Sequence, residues 1–155
     1  WAGTVEELYG EAAHTMMALN YTSPGLPFLY SGVEYDLDKR LLFFEKDSFP
    51  KVKGETYYLL KKLGELKNTR AALNSGREAG KYTPIKTSLL EKVLAFERTK
   101  EGDTIVFIGN MSGEHIGFRS PYNGTFKRFK DEKTKRLSYS YEYRMKPWEF
   151  WILKN

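Results

Sequence analysis

The sequence predicts an α+β protein, with a helix–strand–helix unit over about residues 1–75 and an antiparallel β-sandwich over about residues 76–155. Three observations carry this. In the first half, apolar residues recur at three- and four-residue steps on either side of one short apolar run. Beyond residue 75, apolar and polar residues alternate in short segments separated by polar turns. Within that second half, KVLAFERTKEGDTIVFIGNMS (92–112) alternates on both arms of a Glu101-Gly102-Asp103 turn, which is the pattern of a β-hairpin.

Each element has its own signal. Thr4-Val5-Glu6-Glu7 fits a capping box, in which the Thr hydroxyl and the Glu carboxylate satisfy N–H groups left free at a helix start. Tyr9, Ala12, Ala13, Met16 and Leu19 then share one face, predicting a single helix that ends near Asn20, ahead of Pro24-Gly25. Leu26–Tyr30 is apolar without alternation, as in a strand buried on both faces of a parallel sheet. A polar loop follows through Asp47 and Pro50. From Glu55, the run TYYLLKKLGELK sets Leu59, Leu63 and Leu66 on one side of a second helix and lysines on the other, and Asn74-Ser75-Gly76 ends it. The order helix, buried strand, loop, helix belongs to an α/β unit.

In the second half, Tyr82–Ile85 and Gly124–Phe129 are shorter strand candidates. SYSYEYR (138–144) places Tyr139, Tyr141 and Tyr143 on one face of a strand, and WEFWILK (148–154) alternates after Pro147. The charge-dense stretch Lys127–Arg136 reads as a solvated hairpin end. The chain contains no internal repeat and no low-complexity segment.

Composition excludes several functions. With 155 residues, 41% hydrophobic and 15% aromatic, the chain has enough apolar material for a sizeable core. It has no cysteine, which rules out disulfides, thiolate catalysis and Cys-ligated zinc. His14 and His115 lie far apart, so no His-based transition-metal site and no cofactor are expected. The net charge of +5 arises from 25 basic and 20 acidic residues that are interspersed, without a recognised nucleic-acid motif, so nucleic acid is not an expected partner. No stretch approaches about 18 uninterrupted apolar residues, and no membrane-spanning helix is expected.

The motifs also carry a resemblance. Pro24-Gly25, then Pro27-Phe28-Leu29-Tyr30, then Gly32-Val33-Glu34 resembles the segment around the last barrel strand of the alpha-amylase family of glycoside hydrolases. LDKRLLFFEKD (37–47) is similar to the basic, Phe-containing loop that follows there. ALNSG (72–76) resembles the link from the closing barrel helix into the family's C-terminal β-sandwich, and KVLAFERTKEGDTIVFIGNMS with PWEFWILK (147–154) resembles that domain's hairpin and last strand. Ser31 departs from the pattern, which often has a second aromatic there. The resemblance implies that residues 1–75 are the C-terminal remnant of a (β/α)8 barrel and residues 76–155 its appended domain. It implies a parent enzyme that hydrolyses α-glucan, starch or maltodextrin, with retention. The segments bearing that family's nucleophile Asp, acid/base Glu and Asn-His-Asp are absent from this sequence. Beginning at Trp1 rather than Met, the chain is expected to be an inactive piece of a longer polypeptide.

Glycoside hydrolysis with retention needs two carboxyl groups about 5–5.5 Å apart. The tempting set is Glu34, Asp36 and Asp38, which on an extended backbone would share one face at steps of about 6–7 Å. The same set could serve an oxygen-ligand calcium site. The plainer reading is loop carboxylates that are hydrated or paired with Lys39 or Arg40. In a complete barrel this loop lies at the C-terminal face, where sites assemble, so Glu34 and Tyr35 are the candidate substrate-bordering residues. Tyr139, Tyr141, Tyr143, Trp148 and Trp151 could form a sugar-stacking platform, although core packing is their simpler role. His14 reads as a packed or surface histidine. An isolated Leu26–Tyr30 strand would leave backbone groups unpaired, so self-association or another contact covering it is expected. The rival reading is a non-catalytic carbohydrate-binding or interaction module.

Overall fold

The computed structural model describes residues 3–120 and 122–155. Thr4 caps the first helix, α1 (Val5–Tyr9), as its sequence requires: Thr4 Oγ1 accepts from Glu7 N at 3.2 Å and Glu7 Oε2 accepts from Thr4 N at 2.8 Å. The single helix expected here is broken. Gly10 takes φ 45° and ψ −124°, a 3₁₀ turn covers Gly10–Ala12, and α2 (Ala13–Thr22) starts afresh. Only a residue without Cβ adopts such a backbone readily. The break re-aims the buried face, so Ala12, Ala13, Met17 and Ala18 point inward while Tyr9 is exposed. The third helix, α3 (Glu55–Thr69), buries Leu60, Leu63 and Leu66, with Leu59 at the margin.

Leu26–Tyr30 is not the strand its composition suggested. It has no regular secondary structure, and only alternate residues turn inward: Leu29 packs on the core, while Leu26 and Phe28 are each 83% exposed. A strand exists by hydrogen bonding to a neighbour. Among the described residues no strand lies beside this segment, so it runs alone with one apolar ridge facing outward.

Among the described residues the second half forms eight strands: β1 (Lys81–Pro84), β2 (Val93–Lys100), β3 (Asp103–Asn110), β4 (Ile116–Arg119), β5 (Gly124–Arg128), β6 (Thr134–Leu137), β7 (Glu142–Met145) and β8 (Phe150–Lys154). Six make an antiparallel sheet in the order β1-β2-β3-β8-β5-β6, and β4 and β7 pair separately. The β2–β3 hairpin closes with Lys100 opposite Asp103, and both turn residues, Glu101 (φ 52°) and Gly102 (φ 83°), are left-handed. That is the two-residue geometry whose twist matches the strands it joins.

The tyrosine stretch behaves differently from its alternation. Strand geometry starts only at Glu142, because β7 pairs with β4 and not with the preceding β6, so the chain must turn between sheets at Ser138–Tyr141. Tyr139 and Tyr141 sit on that turn in solvent, and only Tyr143 packs, against Phe118 and Trp151.

Two cores result. One face of the six-stranded sheet (Phe96, Ile105, Phe107, Ile152) packs on Met17, Ala18, Leu60, Leu63 and Leu66 of the helices. The opposite face (Val93, Val106, Ile108, Leu153) packs on Ile116 and Phe118 of β4 and Met145 of β7. The junction near residue 75 is fastened by Arg98 of β2, which is 0% exposed. Its guanidinium donates to the carbonyls of Thr22 (3.2 Å), Asn74 (3.0 Å) and Gly80 (3.3 Å). No carboxylate faces it among the described residues, and burial pushes its pKa down. Its position at the C-terminal end of α2 supplies the compensation, since unpaired carbonyls and the helix dipole favour a cation there.

Candidate functional site

The loop after the Leu26–Tyr30 segment carries the candidate residues, and glycine sets its path. Gly32 has φ 100°, and an added Cβ would lie 2.5 Å from Leu37 Cδ2, so both backbone and space demand glycine. A 3₁₀ turn follows over Val33–Tyr35, and Asp36 is left-handed at φ 52°. Leu37 N donates back to Gly32 O at 3.1 Å, closing a compact loop.

This curvature sets Glu34 apart from Asp36 and Asp38, three carboxylates that an extended chain would align. Glu34 Oε2 accepts from Gly32 N at 3.0 Å, within its own turn. Asp38 Oδ1 instead accepts from Thr4 Oγ1 at 2.7 Å, tying the loop to the cap of α1. Asp36 borders a cavity of about 450 Å³ together with Leu37, Asp38, Glu6, Glu11 and His14. Glu34 and Tyr35 do not line it. Tyr35 stacks on Tyr57 of α3 (5.8 Å between ring centres, 18° between planes) and leans on Phe49 at 6.1 Å. Among the described residues no cluster of His, Asp and Glu is arranged to hold a metal ion. His14 is packed as its place in a helix suggested, with Nε2 2.8 Å from Thr56 Oγ1.

Farther along, Asp47 anchors the loop in a way its sequence did not reveal. Its carboxylate accepts from Lys39 Nζ (2.8 Å), Leu42 N (3.1 Å) and Ser48 N (2.7 Å). The Lys39 hydrogen bond foremost, then the two backbone N–H groups, hold its pKa down at about 2. Phe43 and Phe44, 80% and 93% exposed and in edge contact at 4.9 Å, stand on the segment so pinned. The Asp-Ser step, an acidic side chain bonding the next backbone N–H, is a local signal for such a turn; the Lys39 partnership required the fold.

A helix layer on one face of an antiparallel sheet, with an unpaired extended segment and a glycine loop leading into the last helix, is the fold of the C-terminal part of alpha-amylase family enzymes. A maltogenic alpha-amylase from Thermotoga neapolitana superposes with a TM-score of 0.81 at 18% identity, over 97% of this chain and 38% of that one. An alpha-amylase from Geobacillus thermoleovorans, solved with acarbose, matches over 92% of this chain and 33% of its own (TM-score 0.68, 20% identity). The trehalulose synthase MutB from Pseudomonas mesoacidophila matches over 98% and 41% (TM-score 0.67, 16% identity). The chain thus spans well under half the length of these structures. No family model and no curated protein matches its sequence.

Proposed function

We propose that this chain is the closing segment and C-terminal domain of a retaining glycoside hydrolase acting on α-glucans such as starch or maltodextrin. One observation carries the reading: the outward ridge of Leu26, Phe28 and Tyr30 belongs to a lone extended segment, inside a chain superposable almost throughout on barrel enzymes. In the whole protein this segment is a barrel strand, and the ridge is covered by neighbouring strands. In the isolated chain, self-association covers it.

In this reading the loop Gly32–Asp47 lies at the C-terminal face of the barrel, where sites assemble. Glu34 and Tyr35 border the cleft in a supporting role. Glu34 shapes the turn through Gly32 N, and Tyr35 fixes the loop to α3 by stacking on Tyr57. Neither supplies the chemistry. Retention needs a nucleophile and an acid/base about 5–5.5 Å apart, whereas Glu34 and Asp38 are engaged with separate partners. In this reading both catalytic carboxylates are contributed from outside these 155 residues, and the chain alone is inactive. The likeness to a trehalulose synthase favours glycosyl transfer as the second reading. Hydrolysis and transfer differ only in what intercepts the glycosyl intermediate.

The test is expression of the complete open frame that contains this chain. Its product should cleave maltodextrin and release the α-anomer first, as followed by proton NMR. A whole protein without action on any α-glucan sinks the proposal. Turnover by the 155-residue chain above that of a Glu34→Gln variant sinks the assignment of catalysis to outside residues.

A further inference from the structure

We propose that the groove between the helices and β8 is a separate binding site for a neutral glycan, with Trp148 as its stacking surface. The first observation is conformational. Lys146–Glu149 is a turn closed by Glu149 N to Lys146 O at 3.2 Å, with Pro147 second and Trp148 third. Trp148 has φ 52°, at the position where such a turn calls for glycine or asparagine. A bulky residue there is a true outlier, and such strain persists only where its surroundings over-determine it.

They do so here from every side. Trp148 N donates to Ser112 O at 3.1 Å, and Trp148 O accepts from Thr15 Oγ1 of α2. Glu149 clamps the turn by accepting from Lys146 N and from Trp151 Nε1, both at 2.8 Å. With its backbone spent on these contacts, Trp148 borders a groove of about 820 Å³.

The second observation is the chemistry of that groove. Its volume falls within the range of small-ligand sites, about 300–1,000 Å³. Glu11, Glu55, Tyr58 and Lys62 border it from the helical side and Asp131 from the β5–β6 turn. Asp131 is consumed by Arg128, and Lys62 donates to Lys130 O at 3.4 Å. Glu11, Glu55, the Tyr58 hydroxyl and the Trp148 indole N–H make no hydrogen bond or ion pair among the described residues. An anion entering the groove would meet two free carboxylates, and a cation would meet Lys62 and Arg128. A polyhydroxylated neutral molecule meets both acceptors and donors, beside a flat apolar ring. The groove is distinct from the loop cavity at Asp36 and Asp38; Glu11 and His14 alone border both.

The choice of maltoheptaose as probe rests on the function proposed above; the groove's chemistry does not. Titration of the 155-residue chain, followed by calorimetry and tryptophan fluorescence, should give a dissociation constant on the order of 1 mM. Trp148→Gly should weaken binding by roughly tenfold and at the same time raise the melting temperature, because glycine relieves the left-handed backbone. A purely structural tryptophan would lower both stability and binding or leave binding untouched. Tyr58→Ala, on an exposed helical position, should weaken binding several-fold without moving the melting temperature, which keeps the test decisive if the glycine variant fails to fold. Unchanged affinity in both variants, or no binding by the wild-type chain at tens of millimolar, overturns the site. A whole protein inactive on α-glucans whose C-terminal chain still binds through Trp148 would remove the proposed function and leave this site standing.

Discussion

At the scale of single residues, the most consequential side chain is one whose role no local pattern announces. Arg98 sits at an inward position of β2, where alternation calls for an apolar residue, and it serves three carbonyls from three separate segments. Replacing it with methionine removes three hydrogen bonds, leaving Asn74 O only its bond from Gly80 N and taking the guanidinium donor from the carbonyls of Thr22 and Gly80, and each lost bond costs about 1 kcal/mol. Arg98→Met should therefore lower unfolding free energy by roughly 3 kcal/mol, measured by denaturant titration; a loss below experimental error would remove its role as a fastener. Asp47 gives the pH prediction. Its pKa in the fold, about 2, lies below the ordinary 3.8, so its ordering of the loop is complete above 3.8 and lost as pH falls through about 2. Carbon NMR of the Asp47 carboxyl should titrate with a midpoint near that value, and the Phe43 and Phe44 ring signals should sharpen below it as the loop frees. Asp47→Asn should show the sharpened signals at neutral pH.

At the scale of elements, the outcome turned on partners. The capping box at Thr4, the β2–β3 hairpin and β8 were legible because each depends on residues close in sequence or on simple alternation. The sequence predicts a continuous first helix because its apolar steps run through Gly10, whereas glycine's freedom to reverse the chain is spent only when packing rewards it. Leu26–Tyr30 reads as a buried strand, and its composition suits one, yet no strand lies beside it among the described residues. Phe28 is exposed while Leu29 packs on the core, so Phe28→Asp is the change that should abolish self-association. Sedimentation velocity should show the wild-type chain as an oligomer and Phe28→Asp as a folded monomer. A wild-type chain that is monomeric at all concentrations would count against a sticky ridge.

At the scale of the whole molecule, the two halves divide the sequence but not the core. Phe96, Ile105, Phe107 and Ile152 of the sheet close against Met17, Leu60, Leu63 and Leu66 of the helices, so residues 76–155 expressed alone would expose that entire face. Such a truncation should bind a hydrophobic dye and unfold without a cooperative transition; a sharp melt would make the sheet an independent unit. The sequence by itself determined the α+β class, the change of character near residue 75, the cap, the hairpin and the kinship in fold with the C-terminal part of alpha-amylase family enzymes. These rest on periodicity and turn chemistry, which are local. Only the tertiary structure decided that Glu34 turns back on its own loop while Asp36 and Asp38 border a cavity, that Tyr139 and Tyr141 stand in solvent, and that Arg98 and the strained Trp148 hold the junctions. Those outcomes depend on which distant segment supplies each hydrogen bond: Thr4 for Asp38, Thr22 for Arg98, and Thr15 and Ser112 for Trp148. Partners so far apart along the chain are chosen by packing, and periodicity carries no record of them.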